Sequence, residues 1–320
     1  MSPPPPPLGR SRRKGGRSDH AFDLALDDSE LIDVRGQFTQ GRWTRARSLL
    51  VATGTDWDRR GHRLLALAVV PSAAGWAGDW LLAEPDSRDA ATLLACATVV
   101  RAQRPKAGTG DRTRAREACL AAAALDPADP TPWLGLMTLE RTHGTHEGVA
   151  RQFEEIRARH PDHHHAHHLM TAALAEAHPG SDPLHEVYDF AAWAAEQAPA
   201  DSPLAVLPVV AHAERYRVLA AAGVVSDDPA ASGHWSGRRA RQVMKAAFDW
   251  WLEWEREDHP RHGADLNFLA HAKICEGRPA EAAAIFHRIG PHATDAPWSY
   301  AGRDPYPEFV AARTLALGAP

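Results

Sequence analysis

Apolar residues recur along most of this chain at steps of three and four, the period of an amphipathic helix. Ala115, Ala118, Cys119, Ala122 and Leu125 form one such stripe, and Ala166, Leu169, Met170, Ala173, Leu174 and Ala177 form another. Val243, Ala247, Trp250, Trp251 and Trp254 form a third, and Ala282, Ile285, Phe286 and Ile289 a fourth. No stretch alternates β-branched residues between turn signals, as a half-buried strand does. The pattern predicts an all-α protein with strand content close to nil. Cap-then-proline starts at Thr131-Pro132, Asp182-Pro183, Ser202-Pro203 and Asp304-Pro305 place several helix N-termini.

The punctuation between helices repeats. Pro85, Pro127, Pro161, Pro199, Pro229, Pro260 and Pro291 follow one another at 30 to 42 residues, near the length of a two-helix unit. The clearest unit runs from Asp126 to Asp162. Trp133, Leu136, Met137 and Glu140 fall at i, i+3, i+4 and i+7; Gly144 stops that helix and Thr145 can cap the next. Val149, Phe153 and Ile156 carry the apolar face of the second helix, and His160-Pro161 restarts the pattern.

LDPADPTPWLGL (125–136) and, 34 residues later, RHPDHHHAHHLM (159–170) resemble the units of tetratricopeptide-type repeat proteins. QGRWTRARSLL (40–50) and EGRPAEAAAIF (276–286) are similar to the second helix of such a unit. The resemblance implies a right-handed α-solenoid of stacked helix-turn-helix repeats over residues 19–320, with a concave groove that binds a partner protein or peptide. A two-helix unit cannot bury its apolar face alone, so neighbouring units bury it for each other. Tyr306, Phe309 and Val310 suit a terminal capping helix from about Pro305 to Leu317.

Residues 1–18 carry Pro3 to Pro7 and then Arg10, Arg12, Arg13, Lys14 and Arg17. That composition predicts a disordered tail. Positive charge without an apolar stretch behind it does not read as a secretory signal. No run approaches the ~20 apolar residues of a membrane span. The formal net charge of −5 supplies no field that would draw the chain to nucleic acid or anionic lipid. Cys96, Cys119 and Cys275 lie far apart, without a CxxC pair, which favours free thiols and a reducing, cytoplasmic setting. Arginine, alanine and histidine are abundant while lysine occurs only at 14, 106, 245 and 273. Such bias lowers the weight of any single histidine or arginine.

The densest candidate chemistry is the segment His160 to His168. His163/His167 and His164/His168 are i, i+4 pairs, able in principle to chelate a metal from one helix face. With the apolar centre of that helix near Ala166, Ala173 and Ala177, His164 and His168 are expected to face solvent. His163 and His167 are expected at the edge of the buried stripe, His167 as a packing residue aligned with Trp133. The second aromatic feature is the tryptophan group, in which Trp251 or Trp254 could wall a ligand groove. No GxSxG, P-loop, GxGxxG or HExxH motif occurs, so no cofactor is expected. The resulting expectation is a non-enzymatic scaffold. A metal-dependent enzyme or accessory protein using His160–His168 is the alternative.

Overall fold

Residues 21–177, 185–253 and 258–318 are described by a computed structural model. The proposed tail at 1–18, Trp254 and the Asp182-Pro183 start lie outside the described residues. Helices dominate what is described. In order they are α1 (Ser29–Phe38), α2 (Trp43–Thr53), α3 (Trp57–Ala68), α4 (Ala73–Ala83), α5 (Arg88–Ala102), α6 (Thr109–Leu125), α7 (Thr131–His143) and α8 (His146–Arg157). Then follow α9 (His164–Ala177), α10 (Glu186–Gln197), α11 (Leu207–Ala221), α12 (Arg238–Glu253), α13 (His262–Cys275), α14 (Pro279–Ile289), the one-turn α15 (Asp295–Trp298) and α16 (Pro305–Leu317). Among the described residues, no single helix is long and apolar enough to cross a membrane.

The helix starts follow local chemistry. Asp28, Asp56, Ser87, Thr145 and Asp304 each accept a backbone N–H of the first turn, a cap worth about 1 kcal/mol. At α7 the expected cap is corrected. Pro130 holds the cap position, and Asp129 Oδ1 accepts from Thr131 N at 2.7 Å. The buried Thr131 Oγ1 has no hydrogen-bond partner.

Helices α3, α5, α7, α9, α11 and α13 pack side by side in chain order, and α4, α6, α8, α10, α12 and α14 lie against them. The first row is the more deeply buried. In α5, α11 and α13 most residues are inaccessible on every side, which is how a helix enclosed by neighbours on all faces must read.

The row also turns back on itself. Ala21–Phe22 pairs in parallel with His292–Ala293, a two-residue bridge between the two ends of the chain. Near that bridge Phe22 meets Tyr306 of α16 edge-on. Leu26 fits over Gly263 at the start of α13, and Arg59 donates to the carbonyl of Asp258. The apolar core shows the same closure. Leu65 of α3 packs against the cluster of Leu31, Phe38 and Trp80, and also against that of Leu134, Phe153 and Ala166. Trp133 and Phe190 join that second cluster to its neighbours on either side.

Two buried arginines brace α3. Arg60 Nε meets Asp129 at 3.2 Å while Nη2 meets Asp89, so the starts of α3, α5 and α7 share one guanidinium. Arg63 binds Asp28 at 2.7 Å, Glu30 at 2.9 Å and Thr53 at 2.9 Å, tying α3 to α1 and α2. Cys96 and Cys119 are buried free thiols; Cys275 is half-buried, with Sγ 3.7 Å from His271 Nε2.

Candidate functional site

Three helix starts converge where the row closes, and each is rich in histidine and aspartate: TDWDRRGH (55–62), HPDHHHAHH (160–168) and DHPRHGAD (258–265). The first and second meet through Asp58. Its Oδ2 lies 2.9 Å from His160 Nε2, and its Oδ1 accepts the backbone N–H of His164 at 3.1 Å. Asp58 therefore caps α9 from across the molecule. His259 Nε2 lies 3.6 Å from the same carboxylate.

Behind Asp58 sits a second carboxylate. Asp265 of α13 accepts from His164 Nε2 at 2.8 and 3.0 Å, and His168 Nε2 stands 3.2 Å from its Oδ1. The His164 and His168 rings lie 4.3 Å apart, and His259 covers His164 at 4.6 Å.

This reverses the expected orientation of the histidine helix. His164 is fully buried and His168 retains 8% of its surface. Both faces of α9 are covered, because Ala166 and Ala173 pack on α7 and α8 while His164 and His168 face α13. His163 and His167 are buried as well. His163 Nδ1 accepts Ala166 N–H, and His167 Nδ1 donates to His163 O while its ring meets Phe153 and Phe190. The pair His163/His167 is thus engaged in helix capping and packing, and the pair His164/His168 is aimed at a carboxylate.

Burial sets the protonation. It drives the His164 imidazolium to a pKa of about 3 and that of His163 to about 4. Burial also opposes the charge on Asp265 and Asp58, yet the surrounding imidazoles hold both carboxyls well below the ordinary range. His160, at the mouth, is raised by its hydrogen bond to Asp58. His164 is therefore a neutral imidazole beside an ionised carboxylate, the state in which both are metal ligands.

The centre is under-bonded. His62 Nε2, His163 Nε2, His164 Nδ1, His168 Nε2, His259 Nε2, Arg261 Nε and His262 Nε2 are all buried without a hydrogen-bond partner. His168 Nε2 is close to Asp265 but off the line a hydrogen bond needs. Such groups are normally satisfied by protein, water or an ion.

A cleft of about 390 Å³ opens onto this centre. Asp58, His160 and His259 form its floor, Trp57 and Trp250 stand in its walls, and Asp56, Asp162, Asp201 and Asp258 ring it. Trp250 Nε1 donates to Ala200 O at 2.8 Å, which fixes the ring in the wall. Trp251, expected as a groove wall, is instead a core residue at 9% exposure, packed on Phe248. The two residues point about 100° apart on the helix, so burying one turns the other outward.

No family model and no curated protein matches this chain. Asp58, His259 and Asp265 escaped the sequence reading because they lie about 100 residues from His160–His168 along the chain. The available signal was the shared composition of three helix starts, legible singly as ordinary polar caps.

Proposed function

We propose that the chain is a non-enzymatic helical-repeat protein that binds a cationic segment of a partner protein, rich in Arg or Lys, in the cleft between the starts of α3, α9 and α13. The fold is taken as a right-handed solenoid of tetratricopeptide type whose inner helices curve until α3 meets α9 and α13. In that arrangement the chain's own side chains fill the middle of the concave face. Binding therefore moves to the cleft at the closure.

The observation that carries the reading is the pairing of aspartates with tryptophan in one cleft. Arg59, the one guanidinium lining it among the described residues, is engaged by Asp56 and by the Asp258 carbonyl. A guanidinium or ammonium entering there meets carboxylates and indole faces together. A cation over an indole is worth about 0.5–2 kcal/mol, and the surrounding aspartates favour the approach of positive partners.

The test is a titration of the full chain with short peptides, one Arg/Lys-rich and one in which Glu replaces each basic residue, followed by calorimetry at two salt concentrations. The basic peptide should bind, more weakly in high salt. Trp250→Ala and Asp162→Asn should each weaken it by about tenfold. Equal binding of both peptides, or indifference to both substitutions, would remove the reading.

A further inference from the structure

We propose that His164, His168 and Asp265 bind one divalent transition-metal ion of the zinc class, which ties α9 to α13 at the centre of the molecule. The site is independent of peptide binding in the cleft and places the ion behind it. His164 and His168 are one turn apart on α9, and Asp265 projects from the first turn of α13. One ligand atom from each lies within 4.8 Å of the others. Donors that share one tetrahedral ion at bonds of ~2.0–2.1 Å are about 3.3 Å apart. His168 Nε2 and Asp265 Oδ1 are 3.2 Å apart, and His164 Nε2 stands 2.8–3.0 Å from the same carboxylate. Both imidazole-to-carboxylate distances are thus within about half an ångström of that spacing.

Two further observations point to an ion. His168 Nε2, on a ring nine-tenths buried, is aimed at this space with no aligned hydrogen-bond acceptor. The donor set of two imidazoles and one carboxylate is the type that holds zinc with a fourth position left for water. Burial also keeps the His164 ring neutral; to take the ion at Nε2, its one proton moves to Nδ1, which is buried without a partner.

Arg261 is the rival cation. It interacts with both Asp265 and Asp58, and its buried Nε has no partner. Its charge opposes a metal, so the site should be weaker than a fully anionic one. Arg261→Met should therefore raise metal affinity, an effect no purely hydrogen-bonded cluster would produce.

The experiment uses the full chain without a histidine tag, stripped by chelator and then dialysed against zinc or cobalt(II). One equivalent should remain, with a visible cobalt d–d spectrum of low coordination number. Asp265→Asn and the pair His164→Gln/His168→Gln should each lower affinity by about 100-fold or more, whereas His163→Gln/His167→Gln should leave the stoichiometry at one. Because a core variant can fail to fold, wild-type histidine modification is mapped alongside; zinc should protect His164 and His168 selectively. Less than a tenth of an equivalent at micromolar free zinc, or metal content that follows His163/His167, overturns the proposal. So does zinc protection spread evenly over the exposed histidines.

Discussion

Arg60 shows how much one side chain can carry in this molecule. It is 5% exposed and sits between Asp89 and the fully buried Asp129, so three helix starts depend on one charge. Removing Asp129 leaves the guanidinium with Asp89 alone and strips the Thr131 N–H of its acceptor, which costs about 1–3 kcal/mol. Asp129→Ala should lower the unfolding free energy by that amount, read from urea denaturation.

A second residue-scale consequence concerns acid. His212 packs between Tyr188 and His234, and His271 lies among Trp235, Trp298 and Cys275. Burial lowers both pKa values to about 3, below the ~6.5 of an unfolded chain. The unfolded state then binds protons that the native state excludes. The stability these rings allow is full above about pH 6.5 and drains as pH falls toward their folded values, by up to ~1.4 kcal/mol per pH unit for each ring. The urea midpoint should drop between pH 7.5 and 5, and His271→Leu should flatten that slope.

At the scale of elements, α12 carries two adjacent tryptophans with separate tasks. Trp251 is a core residue, and truncating it to alanine should cost about 3–5 kcal/mol. Trp250 is half-buried in the cleft wall, so Trp250→Ala should cost less stability and more ligand. A comparison of melting temperature with peptide affinity for the two variants separates these roles; a Trp251→Ala protein as stable as wild type would contradict the placement. Helix α9 is enclosed on two opposite faces. The apolar stripe correctly marks one buried face, but the opposite face is buried too, by polar groups that find partners only on α3 and α13.

At the scale of the whole molecule, the closure of α3 on α9 and α13 changes how the chain should unfold. A linear stack in which units touch only their neighbours loses structure gradually from its ends. Here Asp58 reaches His160 and His164, about 100 residues away, and His164 reaches Asp265 across a similar distance. The full chain should therefore melt in one cooperative transition, with calorimetric and van't Hoff enthalpies in agreement. Asp58→Ala removes the cap of α9 and the link to α3, and should split or broaden that transition.

By itself the sequence determined the helices, because their signals are local. The 3.6-residue apolar period marks the buried faces, proline and glycine punctuate the units, and Asp28, Asp56, Ser87, Thr145 and Asp304 cap within one turn. The same locality made His160–His168 visible as a possible ligand segment and supplied the wrong outward orientation for His164 and His168. Only the tertiary structure decided that the row of helices bends back, that Trp250 rather than Trp251 faces the cleft, and that Asp58 and Asp265 meet the histidines. A helix start rich in histidine and aspartate looks the same whether water or another helix start satisfies it. The difference arises from packing between segments about 100 residues apart, which no local pattern encodes.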